Sequence, residues 1–122
     1  MRLRREWLEK WRLVEGRAGE RRRFLADWRR HVECLAVEVR RLLGDARVLA
    51  FGSVVRGDWC VESDVDVLVV SSRVPRDAVE RVRLKMRLRE ALGVSAPLEI
   101  HLATPEEFEK WYRMFIDVYE EF

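Results

Sequence analysis

The chain of 122 residues contains no asparagine and no glutamine, and all but three of its 24 basic residues are arginine. Loss of the heat-labile amides beside many ion-pairing side chains fits a thermophilic source, and a GC-rich genome would enrich arginine in the same way. Cysteine is scarce too. Cys34 and Cys60 have neither Cys-x-x-Cys spacing nor a nearby histidine pair, which argues against a zinc site. Whether they pair with each other is open, because a disulfide needs a geometry that sequence does not give and a compartment or heat adaptation that tolerates it. Cys34 itself reads as a buried helix residue. No apolar run approaches the roughly 18 residues of a membrane span. The opening Met1-Arg2-Leu3-Arg4-Arg5-Glu6 also lacks the apolar core of a secretion signal. The expectation is a cytoplasmic protein without a membrane partner.

What is present is a large apolar fraction, 48%, beneath 38% charged residues, enough for one compact domain with an ionic surface. The net charge of +2 hides an asymmetry: residues 1–47 carry 14 basic and 8 acidic groups, residues 48–122 carry 10 and 14. Arginine alternating with glutamate on a helix marks a solvated face laced with local ion pairs, so nucleic acid is not the expected partner of the basic half.

The apolar spacing predicts a first short helix through Trp7, Leu8, Trp11 and Val14 that ends at Gly16 and Gly19. A second amphipathic helix runs from about Glu20, through Phe24, Trp28, Val32, Leu35, Ala36, Val39 and Leu43, to a stop at Gly44. Three strands follow, at 47–51, 65–70 and 98–102, the second apolar enough to be covered on both faces and central in a sheet. Arg81 to Arg89 alternates like a strand, yet its residues are helix formers bracketed by Pro75 and Gly93, and it is read as a helix. Thr104-Pro105-Glu106-Glu107 is a capping box that launches a last helix through Phe108, Trp111, Tyr112 and Phe115. His31 receives no function.

The chemistry concentrates between Phe51 and Leu68. Asp64 and Asp66 are two apart at the head of a strand, so both carboxylates project from one face. Two like charges there are costly unless a cation sits between them, and oxygen-rich sites select hard ions such as Mg²⁺. A pair of such ions could bridge the carboxylates and hold a triphosphate for in-line displacement. Gly52 and Ser53 supply the complement, a turn whose backbone N–H groups approach phosphate oxygens, with a hydroxyl as a further donor.

Gly52-Ser53, ten residues, then Asp64-x-Asp66 resembles the signature of the DNA polymerase β-like nucleotidyltransferase superfamily. Arg56-Gly57 and Ser63-Asp64 further resemble its minimal nucleotidyltransferases, which are commonly paired with a HEPN-domain protein. The likeness covers about residues 44–115 and implies an α/β (α+β) fold, a polymerase β palm-like mixed sheet flanked by helices. On that reading, residues 44–122 form the nucleotidyltransferase domain and 1–43 an N-terminal helical extension. The resemblance implies Mg²⁺-dependent transfer of a nucleoside monophosphate from a nucleoside triphosphate. Gly52, Ser53 and Ser63 would bind nucleotide, while Asp64 and Asp66 would bind metal. The family's third carboxylate falls to Glu99 in the third strand, which would complete the metal site and help deprotonate the attacking hydroxyl. Arg56 either contacts triphosphate or fixes the turn. His101 shares the Glu99 face and belongs either to sheet packing or to the edge of the site. Trp7 and Trp11 suggest self-association or partner docking by the extension. The expected activity is AMP transfer from ATP to a hydroxyl of a partner protein, as the antitoxin of a HEPN toxin. The alternative is an interaction module that keeps the nucleotide site but acts by occluding that partner.

Overall fold

The computed structural model describes residues 2–93 and 95–122, and gives the backbone alone for residues 2–5, 7, 11, 12, 14 and 15. The side chains of Trp7, Trp11 and Val14 thus lie outside the described residues. Two long helices open the chain, α1 (Arg2–Ala26) and α2 (Trp28–Leu43). They are followed by β1 (Arg47–Phe51), α3 (Ser53–Arg56), β2 (Val65–Val70), α4 (Ala78–Glu90) and β3 (Leu98–Ala103). A C-terminal helical segment then runs through α5 (Pro105–Glu107), a π-helical turn (Phe108–Tyr112) and α6 (Arg113–Phe115), before β4 (Tyr119–Glu121).

The four strands form one mixed sheet in the order β3-β2-β1-β4. β2 and β3 are parallel, with Asp66 opposite Glu99, while β1 runs antiparallel to both β2 and β4. The parallel pair needs a crossover, and α4 provides it. β2 is central, as its apolar run requires. Val65, Val67 and Val69 face Val32, Leu35 and Val39 of α2, while Leu68 and Val70 face Phe108 on the other side. Asp66 therefore projects on the side covered by the C-terminal segment, as do Glu99 and His101 by the same alternation.

Local signals explain most boundaries. Gly44, at φ +72°, closes α2 with its N–H on the Arg40 carbonyl. Thr104 and Glu107 form the expected capping box. On α4, the inward positions Arg81, Leu84, Lys85, Leu88 and Arg89 recur at helical spacing, while Val82 and Met86 point outward, more than half exposed. The strand-like alternation arises because Arg81 and Arg89 face inward: Arg89 donates to the Leu98 and Ala96 carbonyls, and Arg81 to those of Pro75 and Leu102.

Three expectations are corrected. The first helix does not end at Gly16 or Gly19; α1 runs through both, and the break falls at Asp27, at φ −112° and ψ 29°. Each glycine costs about 1 kcal/mol relative to alanine, and the anchoring of Arg21 and of fully buried Leu25 near the end of α1 offsets it. Cys34 is exposed, because α2 buries Val32, Leu35, Ala36 and Val39 and leaves position 34 on the outer face; both cysteines are free thiols. The sheet also has a fourth strand, β4, too short and too acidic to read as one. It is held by backbone pairing to β1 and by Arg47 on Glu121 and Arg29 on Glu120.

Candidate active site

The β1–α3 corner sets one wall of the site. Gly52 adopts φ +83°, and a Cβ added there would stand 2.5 Å from Asp66 Oδ2, so the turn admits only glycine without displacing that carboxylate. The Gly52 carbonyl accepts from the Val55 and Arg56 N–H groups, which starts α3 directly after Ser53. Gly57, at φ +84°, ends α3 in the left-handed region. A pocket of about 390 Å³ opens over this corner, lined by Gly52, Ser53, Arg56, Asp66, Phe115 and Asp117 among others.

Parallel pairing of β2 with β3 brings the carboxylates together. Asp66, Glu99 and His101 each present a ligand atom within 4.8 Å of the others. His101 Nε2 stands 3.7 Å from Asp66 Oδ1 and 3.8 Å from Glu99 Oε1. The ring is set by aromatic neighbours, with Phe51 at 5.5 Å and Tyr112 at 6.3 Å between centroids. Asp66 and His101 are about a quarter exposed and Glu99 is open to solvent. Two carboxylates and an imidazole at this spacing fit a divalent cation, the carboxylates favouring a hard ion.

Asp64 stands apart from that cluster. Its Oδ1 accepts from Arg21 Nη2 at 3.2 Å, and Arg21 also donates to the Val61 and Ser63 carbonyls, at 2.8 Å each. One arginine of α1 thereby pins the loop that leads into β2. Ser63 is likewise occupied within that loop: its Oγ accepts from the Cys60 N–H at 3.0 Å. Hydrogen bonding by the Glu62 backbone, and then by Ser63, lowers the Cys60 thiol below its ordinary pKa. Arg56 reaches Asp58 at 3.5 Å, which fits the turn-fixing role, and it also lines the pocket over the Gly52–Ser53 corner.

The structure thus gathers Gly52, Ser53, Arg56 and Asp66 around one pocket and Asp66, Glu99 and His101 into one cluster. Asp64 is held beside Arg21, and the Ser63 hydroxyl is turned into the Cys60–Ser63 turn. His101, undecided in the sequence, sits inside the cluster; its period-two relation to Glu99 is the signal that pointed there. Arg21 gave no signal, because an arginine in an arginine-rich helix is indistinguishable from its neighbours until the fold sets it against the loop.

The family model of the nucleotidyltransferase domain matches residues 32–120. The crystal structure of a candidate nucleotidyltransferase aligns with a TM-score of 0.62 at 26% identity, over 75% of this chain and 97% of its own. A second, from Sulfolobus solfataricus, aligns with a TM-score of 0.56 over 87% of this chain and 86% of its own, and at 20% identity it speaks for the fold alone. None of the curated proteins matches the sequence.

Proposed function

The chain belongs to the nucleotidyltransferase domain family, and from that premise we propose that it transfers AMP from ATP, with Mg²⁺, to a hydroxyl of a partner protein. The observation that carries this reading is the meeting of Asp66, Glu99 and His101 beside the pocket built on Gly52 and Ser53. Mg²⁺, when bound, supplies positive charge that neutralises triphosphate oxygens and the charge developing on them. The residues that would hold it are Asp66, Glu99 and His101, with Asp64, here paired with Arg21, as the further carboxylate that the motif offers.

The chain's own groups do the rest. Gly52, lacking a Cβ, lets phosphate oxygens approach the corner, and the Ser53 hydroxyl donates to one of them. Arg56 adds positive charge at the same pocket. Glu99, the most exposed of the cluster, accepts the proton of the acceptor hydroxyl. The hydroxyl oxygen then bonds to the α-phosphorus, the bond from that phosphorus to the bridging oxygen breaks, and pyrophosphate leaves.

A HEPN-domain toxin, neutralised in the cytoplasm, is the partner that the motif resemblance suggests. Supporting a protein partner, the C-terminal segment exposes Trp111, Met114, Phe115 and Val118 beside the site, each more than half exposed. The second reading, occlusion of that partner without turnover, is favoured by the Arg21–Asp64 ion pair, which puts a cation on a carboxylate that the motif gives to metal. The test is incubation with Mg²⁺ and α-labelled ATP, with and without the partner, followed by intact-mass analysis. A gain of one AMP on the partner that Asp66→Asn abolishes supports transfer. Neutralisation without label, undiminished in Asp66→Asn, supports occlusion.

A further inference from the structure

The carboxylates have two sides. Asp66 lines the pocket with Gly52 and Ser53, whereas Asp64 and Glu99 line a separate groove of about 450 Å³ together with Arg21, Lys85 and Ser95. That groove continues into another, of about 580 Å³, walled by Arg17, Phe24 and Leu92. The two share Arg21 and Ser95–Pro97, so they form one trough leading away from the carboxylates between α1 and residues 95–97.

The trough has a chemical gradient. At its inner end, Lys85 is half-buried, and its ammonium makes no ion pair or hydrogen bond among the described residues. Arg17, further out, has a side chain equally uncommitted. Arg21, by contrast, is spent on the Val61 and Ser63 carbonyls and on Asp64, and so fixes the α1 wall against the site. Beyond the cations, Phe24 and Leu92, both partly buried, offer an apolar floor. A half-buried ammonium without a partner among the described residues can take an anion brought by a ligand. Transfer needs the acceptor to reach the carboxylates by a way other than the Gly52–Ser53 pocket, and the trough is a separate groove that reaches Asp64 and Glu99.

Resting on the nucleotidyl-transfer reading above, we propose that this trough is the acceptor site. It takes an extended peptide segment in which the hydroxyl residue is next to an acidic residue that pairs with Lys85. A second acidic residue meets Arg17, and an apolar side chain lies on Phe24 and Leu92. A peptide fits better than a nucleic acid strand, because Glu20, Asp64 and Glu99 interrupt the cations along the trough and would repel a continuous phosphate backbone. The inference gives the extension a function: Arg17, Arg21 and Phe24 all precede the matched residues 32–120.

Binding is measured without turnover, by fluorescence anisotropy of the full chain with three labelled probes. These are a short peptide with tyrosine flanked by glutamates and followed by leucine, the same peptide with lysines for glutamates, and a short single-stranded RNA. The acidic peptide is expected to bind best, and Lys85→Glu and Arg17→Glu each to weaken it by about tenfold while strengthening the lysine peptide. Arg17 is exposed, so its variant serves even if Lys85→Glu melts early. Equal binding of the two peptides, indifference to both variants, or tighter binding of RNA overturns the proposal. Labelling of the same peptide by α-labelled ATP separates the two claims. A peptide held through Lys85 but never labelled sinks the transfer reading and leaves the trough standing, whereas labelling indifferent to the charge at Lys85 and Arg17 sinks the trough alone.

Discussion

Gly52, one residue beyond Phe51, the ladder partner of Asp66, packs against the Asp66 carboxylate so closely that only a hydrogen fits, since a Cβ would lie 2.5 Å from Oδ2. The left-handed backbone of Gly52 and the position of Asp66 therefore depend on each other. Gly52→Ala should cost roughly 1–3 kcal/mol of stability from backbone strain alone and displace the carboxylate. A fall in Tm accompanied by weaker Mg²⁺-dependent ATP binding, read by calorimetry, is expected. Full retention of both would show that the corner is not tight.

His101 should matter to the cation as well as to packing. Its Nε2 faces both Asp66 and Glu99, so His101→Ala is expected to weaken Mn²⁺ binding, followed by electron paramagnetic resonance, by about tenfold or more. His101→Phe keeps the ring against Phe51 and Tyr112 without a ligand atom. If it binds Mn²⁺ as wild type does, the histidine serves packing only.

Arg21 should hold the Val61–Asp64 loop. Arg21→Ala removes two hydrogen bonds to carbonyls and one to Asp64, each worth about 1 kcal/mol net and less where exposed. The expected result is faster amide hydrogen exchange through Cys60–Val65 with little change in β1. Uniform exchange across the chain would mean that the arginine supports the whole fold and not this loop.

Glu107 sets the acid limit of one contact. The Arg81 guanidinium, hydrogen-bonded at 2.5 Å, and then the Thr104 backbone N–H hold its carboxyl down at about 2, against an ordinary 4.5. The charged form is favoured by folding, so its contribution is complete above about pH 4.5 and is lost as pH falls toward 2. At neutral pH, Glu107→Gln should cost about 1 kcal/mol, a value kept low because the pair is partly exposed. Urea unfolding of variant and wild type at a series of pH values should show the difference shrinking in that window. A constant difference would assign the effect to the helix cap instead.

The core of the fold was legible because its signals are local. Gly44 stops α2 through its own backbone angle, Thr104 caps its own helix, and the alternation in Val65 to Val70 assigns faces without knowing the partner strand. The glycine turn and the aspartate at position 66 likewise singled out by spacing one corner of the fold, where Gly52, Ser53 and Asp66 line a common pocket. What stayed hidden is tertiary. Asp64 and Asp66 share a face in any strand, and the resemblance already set Glu99 beside them, but only the packed α1 reveals that Arg21 holds Asp64, and only the β2–β3 register that His101 joins Asp66 and Glu99. The helix break at Asp27, in place of Gly16 or Gly19, follows from anchoring that Arg21 and Leu25 acquire in the fold. β4 exists because β1 offers it an edge, and three residues carry no periodicity to detect.

The two inward arginines of α4 have a consequence for how copies of this protein meet. Arg89 on the Leu98 carbonyl and Arg81 on the Leu102 carbonyl occupy acceptors along the outer side of β3, the row that an incoming strand would need for pairing. At the opposite margin, β4 is three residues long and carries two glutamates. Both margins of the sheet are thus poor templates for growth. This chain should resist strand-by-strand aggregation even when concentrated or heated short of unfolding, and assemblies it forms should be built from side chains.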